Sequence, residues 1–230
     1  MKNLNTSKSL LFLGDNHGDW NSLLFQIKSK NISDANIISV GDLGVGFHPS
    51  QDINTYKSLS EKFSENNINF YGIRGNHDDP SYFQGVNRVC LDNFELIEDY
   101  SVFEYKSKLL QLIGGSISLD RTGRREGISY WQNEGVSFDG EKCQKVDILV
   151  THTTPSWCFP QTFNEMVYGW AREDAYLIED LTDERAVMDE IFKICNPYLH
   201  LYGHFHDSRM EKIGECKHKL LNINEIYELT

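Results

Sequence analysis

Five short polar strings interrupt this chain, and each follows directly on an apolar run. GDNHG (14–18) follows SLLFL, GDLG (41–44) follows NIISV, GNHDD (75–79) follows INFYGIR, TH (151–152) ends VDILV, and GHFH (203–206) follows YLHLY. Short apolar runs bounded by turn residues read as buried strands. In an open α/β sheet the loops at the carboxyl ends of strands gather at one edge, however far apart they lie along the chain. A fold that sets these strands side by side therefore brings the strings together. They offer Asp15, His17, Asp42, Asn76, His152, His204 and His206, and five of the eight His residues fall within them once His77 is counted. Carboxylates and imidazoles without a thiolate make an oxygen and nitrogen donor set that suits Mn, Fe, Zn or Ni.

The coarse pattern supports such a sheet. Leu23, Leu24 and Ile27 recur at helical spacing within 20–30, as do Ile53, Tyr56, Leu59 and Phe63 across 52–66. With the first three strands this is β-α-β-α-β at about 30 residues per unit, the period of right-handed crossovers and parallel strands. The pattern then changes. Phe94–Ile97, Ser101–Tyr105 and Leu109–Ile113 are short runs split by turn residues, and they read as strands of an antiparallel or mixed second sheet. Val146–Val150 is a further strand, Ala186–Cys195 a helix, and Arg209–Ile213 with His218–Ile223 a closing hairpin. Without repeats or a Pro/Gly-rich linker, residues 1–230 read as a single α/β domain.

Composition removes several function classes. A formal charge of −12 leaves no basic excess for nucleic acid or an anionic membrane surface. It does not oppose a phosphorylated substrate, because bound divalent cations would make a pocket locally positive. Five scattered Cys (90, 143, 158, 195, 216) without a C-x-x-C pair suggest neither a disulfide framework nor a zinc ribbon, but thiols in a reducing compartment. The run Leu10–Leu13 is too short for a signal peptide, and no long apolar stretch follows, so a cytoplasmic location is expected. The oligomeric state is not readable from these features.

The ordered motifs D-x-H, G-D, G-N-H-[DE], H and G-H-x-H, spanning 14 to 206, resemble the calcineurin-like metallophosphoesterase superfamily. The resemblance implies an αββα sandwich of two mixed β-sheets flanked by helices. It implies two divalent metal ions, manganese foremost with Fe, Zn or Ni as alternatives. Asp15, His17 and His206 would hold the first, Asn76, His152 and His204 the second, and Asp42 would bridge both. The implied reaction is hydrolysis of phosphomonoesters or phosphodiesters through a metal-bridging hydroxide, with a nucleotide or a phosphoprotein among the candidate substrates. By resemblance His77 does not bind metal, and as an imidazolium it would protonate or stabilise the leaving group. Asp78 is one candidate to orient it.

Protein phosphatases of the superfamily place an acidic residue three positions after the bridging Asp, followed by Arg. Val45 and Gly46 stand there instead, which sets the chain apart from that subgroup. A Ser/Thr phosphatase-like activity remains one alternative reading. A non-catalytic scaffold on the same fold is another, opposed by the intact set of seven ligand positions.

Other features bear on substrate. Asp19 and Asp79, beside the motifs, read as helix-capping or ligand-supporting carboxylates. Asp15 with His17, and His204 with His206, stand two residues apart, and extended backbone would point each pair into one pocket. Gly14, Gly41, Gly75 and Gly203 precede ligands where sharp turns are expected. The glycine-rich segment 114–127 carries Arg121 and Arg124, and Arg74 precedes GNHDD; each is a candidate phosphate grip. The aromatic-rich stretch 153–182 is either a lid or an insertion packed onto the sandwich.

Overall fold

The computed structural model describes residues 1–47 and 53–229. In chain order the strands are β1 (Lys2–Asn3), β2 (Ser9–Leu13), β3 (Ala35–Ser39), β4 (Ile68–Gly72), β5 (Phe94–Leu96), β6 (Ser101–Tyr105), β7 (Lys108–Ile113), β8 (Ile148–Thr151), β9 (Leu199–Tyr202), β10 (Arg209–Ile213), β11 (Cys216–Leu220) and β12 (Ile226–Glu228). The α-helices are α1 (Trp20–Ser29), α2 (Ile53–Ser64), α3 (Glu165–Trp170) and α4 (Leu177–Cys195). A five-stranded sheet runs β12-β2-β3-β4-β5, and a seven-stranded sheet runs β1-β6-β7-β8-β9-β11-β10.

Alternation along the strands explains the layering. In β2, Leu10 and Phe12 face the other sheet and, with Ile38 and Tyr71 of their own sheet, meet its Leu110, Leu112, Ile148 and Leu201. Leu11 and Leu13 face outward onto α1 and α2, among Leu23, Ile27, Tyr56 and Phe63. Strands buried on both faces need apolar side chains on both, which is why they read as continuous runs. The outer face of the larger sheet is covered by α4 through Met188, Ile191 and Cys195. The result is the expected order of helices, sheet, sheet, helices.

Helix ends follow local chemistry. Asp19 caps α1 by accepting from Ser22 N at 3.1 Å, and Asp79 caps the turn after it by accepting from Ser81 N at 2.9 Å. Both carboxylates are therefore caps. α4 stops at Asn196, whose φ of 43° is left-handed and whose N–H returns to Phe192 O, with Pro197 following.

Two expectations need correction, and one strand was not expected. Phe94–Leu96 does not join the second sheet; it pairs in parallel with β4 and extends the first. Burial decides this, because Phe94 stacks on Phe70 at 5.0 Å and on Tyr56 at 5.5 Å beneath α1 and α2. α4 begins nine residues before the expected Ala186, since Leu177 and Leu181 continue its buried face against Val167 of α3. The tail also supplies β12, which pairs antiparallel with β2. No helix among the described residues is long and apolar enough to cross a membrane.

Phe94 tests the revised placement. Phe94→Ala should destabilise the fold by about 3–5 kcal/mol in urea unfolding, the cost of emptying a packed aromatic site. A loss of only a few tenths of a kcal/mol would show that this aromatic stack does not hold β5 in the first sheet.

Candidate metal centre

All five strings converge at the carboxyl ends of β2, β3, β4, β8 and β9. The donor atoms of Asp15, His17, Asp42 and His206 lie within 4.8 Å of one another, and so do those of Asp42, His152 and His204. Asp42 belongs to both groups. Asn76 joins the second: its Oδ1 is 2.8 Å from His204 Nδ1 and 3.2 Å from His152 Nε2. The amide is held in that orientation because its Nδ2 donates to Ser118 Oγ at 3.1 Å. Ser118 N in turn donates to Glu134 at 2.7 Å. Neither residue has a role assigned from the sequence, although Ser118 stands in the glycine-rich segment 114–127.

The pairs converge by a different route from the one expected. His17, Asp42, His204 and His206 have φ values of 50°, 51°, 71° and 49°, so these four candidate ligands occupy left-handed backbone rather than extended. Such conformations in non-glycine residues cost free energy and cluster at functional sites. His204 and His206 consequently part company, one to each group. The glycines matter here mainly for close approach: a Cβ on Gly75 would overlap the Asp42 carboxylate and stand 2.7 Å from His152 Nε2. A Cβ on Gly203 would overlap the Asp15 carboxylate.

Asp78 fastens two of the loops together. Its buried carboxylate accepts from the backbone N–H groups of Leu43, Val45 and Gly75 at 3.1, 2.9 and 2.7 Å. It therefore does not orient the His77 ring. That ring is partnered by Arg124, whose NH2 lies 2.8 Å from His77 Nε2, and it stacks on Phe47 with centroids 4.8 Å apart. Guanidinium can only donate, so Nε2 accepts and the proton sits on Nδ1. Burial and the Arg124 charge, opposed by Asp42, push the His77 pKa down to about 4. The ring is neutral near neutral pH, not the imidazolium that leaving-group protonation requires.

The arginines divide. Arg74 is buried: its Nε donates to Asp99 at 2.9 Å, and its NH groups donate to the carbonyls of Asn133, Glu134 and Gly135. Arg121 is paired with Asp174 and Asp180, each at 2.5 Å. These two hold loops in place, and neither is presented to the ligand cluster. Arg124 is, through His77 and through a 3.3 Å bond from NH1 to Asn76 O.

The donor set fits divalent cations on hydrogen-bond grounds. His152 Nδ1 lies 2.8 Å from Val40 O, an acceptor, so Nδ1 bears the proton. Its Nε2 lone pair then faces two further acceptors, Asn76 Oδ1 and Asp42 Oδ1, each at 3.2 Å. Three converging acceptors require a cation among them. Without a metal the proton takes that role: burial lowers the His152 pKa, yet the adjacent Asp42 outweighs it and pushes it up to about 9. Burial likewise opposes ionisation of Asp42, but His152, His77 and His17 hold its pKa well below the usual carboxylate range. Asp15 and Asp42 are buried, and their ion-pair partners among the described residues are all imidazoles.

A cavity of about 570 Å³ adjoins the cluster at His204 and His206. Phe159, Val167, Leu181 and Phe205 give it apolar walls, and Glu184 and Arg185 line it as well. The 153–182 stretch thus packs against the sandwich through Val167, Leu177 and Leu181 while its loop forms one wall of this cavity.

The profile of the calcineurin-like phosphoesterase family matches residues 8–208, and the chain belongs to that family. None of the curated proteins matches its sequence. Among solved structures, a putative 5'-nucleotidase from Staphylococcus aureus is 11% identical with a TM-score of 0.51. The alignment covers 95% of this chain and 49% of that one, so the chain spans about half its length. A phosphopantetheinyl hydrolase from Mycobacterium tuberculosis is 11% identical, covering 96% and 92% of the two chains with a TM-score of 0.43. A predicted phosphoesterase from Streptococcus pneumoniae is 14% identical, covering 94% and 72% with a TM-score of 0.35. The first of these likenesses supports the shared sandwich fold.

The close approach at Gly75 can be tested against a glycine in open space. Gly75→Ala should remove most bound metal by elemental analysis, because its Cβ displaces Asp42 or His152. Gly123→Ala, where nothing lies within 4 Å, should leave metal content unchanged. Equal metal retention in both variants would contradict the close packing described for Asp42.

Proposed function

We propose that this protein is a dinuclear metal-dependent phosphoesterase. The observation that supports this best is Asp42, a buried carboxylate shared by two separate groups of oxygen and nitrogen donors. Asp15, His17 and His206 would hold one cation, Asn76, His152 and His204 the other, and Asp42 both. When bound, such a pair supplies Lewis acidity to phosphoryl oxygens and makes water a nucleophile near neutral pH. Manganese is the first metal to try, since carboxylate and imidazole donors accept it readily.

The chain's own residues would do the rest. Asn76 is kept from rotating by Ser118, so its oxygen stays directed at the cluster. Arg124 would bind a non-bridging phosphate oxygen. Its Nε is engaged by Asp120 at 2.7 Å, and one NH2 proton by His77, which leaves the second NH2 proton for an incoming anion. His77 would then act by holding Arg124 in place, with Phe47 stacked behind it. The cavity walled by Phe159, Val167, Leu181 and Phe205 would take the leaving group and exclude bulk water from the reacting bond. Val45 and Gly46 stand where the protein phosphatases carry their acidic and basic pair, and Arg124 reaches His77 from a different loop instead. A small phosphate ester with a partly apolar leaving group fits this arrangement better than a phosphoprotein does.

Steady-state kinetics of manganese-loaded protein test the proposal. The wild type should hydrolyse p-nitrophenyl phosphate, and no turnover of any aryl or alkyl phosphate would remove the enzymatic reading. Arg124→Ala and His77→Ala should each lower kcat/KM by about 10- to 100-fold, the worth of one charge-assisted hydrogen bond, with metal content unchanged. The His77→Ala loss should be similar for aryl and alkyl esters. A loss that grows with the basicity of the leaving group would assign His77 to leaving-group protonation instead.

A further inference from the structure

A third group of donors lies outside the five strings. His200 on β9 and His218 on β11 are directly opposed in the parallel pairing of these strands. Their neighbours Leu199 and Leu201 point into the core between the sheets, so alternation turns His200 to the opposite face, beneath α4. The loop after β8 brings Cys158 to the same place. Its Sγ is 3.3 Å from His218 Nδ1, and the two Nδ1 atoms are 3.2 Å apart. All three residues are buried, and the rings of Trp157 and Phe192 close over His218 at centroid distances of 5.1 and 5.5 Å.

Hydrogen-bond accounting shows which atoms are available. The Thr151 hydroxyl donates to Thr153 O at 2.5 Å, so toward His200 Nε2, 2.8 Å away, it can only accept. His200 therefore carries its proton on Nε2, and its Nδ1 lone pair points at His218 and Cys158. Without a cation the His218 proton can sit on Nδ1 and be donated to His200 Nδ1, but Nε2 has no hydrogen-bond partner among the described residues and can take that proton, freeing Nδ1 to ligate. Burial keeps both imidazoles neutral, with the His200 pKa well below its ordinary value and that of His218 at about 4. Burial also keeps Cys158 a thiol, though the Thr154 hydroxyl beside it favours the thiolate. That hydroxyl is itself buried without a partner of ordinary geometry.

With the His218 proton moved to Nε2, two imidazole lone pairs and one sulfur converge. With bonds of about 2.1 Å to nitrogen and 2.3 Å to sulfur, donors around one zinc-sized cation stand about 3.3–3.8 Å apart. The observed 3.2 and 3.3 Å separations are close to that spacing. We propose that Cys158, His200 and His218 form a separate site for a thiophilic cation, zinc(II) or copper(I), on the outer face of the seven-stranded sheet. On binding, the Cys158 thiol releases its proton to solvent, and the cation takes the sulfur and the two Nδ1 lone pairs. Thiolate with imidazole and no carboxylate selects softer metals than the oxygen-rich centre does, so the two sites need not compete. Cys158 precedes Phe159 and Pro160, which line the cavity beside His204 and His206, so the cation would fasten one wall of that cavity to β9 and β11.

Cobalt(II) is the probe, because only a thiolate ligand produces a sulfur-to-cobalt charge-transfer band and the oxygen-rich centre contains none. Metal-free protein would first be loaded with manganese and then titrated with cobalt. The expected result is a charge-transfer band that saturates at one further cation per chain and is erased by added zinc. Cys158→Ser should abolish the band while leaving the fold, by circular dichroism, and manganese content unchanged. His218→Gln should shift saturation to roughly tenfold higher cobalt or beyond, since losing a ligand costs more than losing an outer hydrogen-bond partner. Absence of the band in folded wild-type protein, or its survival in Cys158→Ser, would overturn the assignment.

Discussion

Much of this structure is arranged around a buried carboxylate, Asp42, that faces other acceptors. Placing Asp42 opposite Asn76 Oδ1 and a His152 ring whose proton is committed to Val40 O creates a site that is unfavourable without a cation. Surrounding features serve that placement. Asp78 joins the 41–45 loop to Gly75 through three backbone hydrogen bonds, and the carbonyl of Asp42 accepts from Asn16 and His17 at 3.0 and 2.7 Å. Asp42 Oδ1 itself accepts from His77 N at 2.8 Å. Three loops are thereby tied to one residue before any cation is considered.

The first half of the fold was legible because its strands are buried on both faces and its helices carry clean apolar spacing. The second half was less so. Phe94–Leu96 is a short strand whose sheet is chosen by aromatic stacking across elements, and no local pattern reports that. The start of α4 was hidden because Leu177 and Leu181 pack on α3, inside a stretch that lacks a long helical repeat. The convergence of the candidate ligands was legible from motif order, but their backbone was not, since left-handed φ at His17 or His204 is imposed by tertiary contacts. The same holds for the arginines. Arg74, Arg121 and Arg124 look equivalent in sequence, and only the structure shows that Asp99, Asp174 and Asp180 occupy the first two.

The environment of His77 is a further feature that sets this chain apart from the protein phosphatases of the superfamily. A carboxylate beside a histidine raises its basicity, whereas a guanidinium lowers it, so replacing one with the other changes what the ring can do. Here burial and Arg124 keep the ring neutral, and the ring in turn holds the Arg124 guanidinium beside the candidate metal centre. Under the proposed function, cations and Arg124 would address the phosphoryl group, and the apolar cavity would address what leaves it. The third donor group, on the far side of β9, uses sulfur where the first two use oxygen, and the chemistry of its donors sets it apart from the phosphoesterase site.

Anomalous scattering at the manganese edge, from crystals grown with manganese, tests the central claim most directly. Two peaks should flank the Asp42 carboxylate, one among Asp15, His17 and His206 and one among Asn76, His152 and His204, and both should vanish in Asp42→Asn crystals of the same fold. A single peak, or a pair that survives the Asp42→Asn substitution, would contradict a dinuclear centre built on this residue.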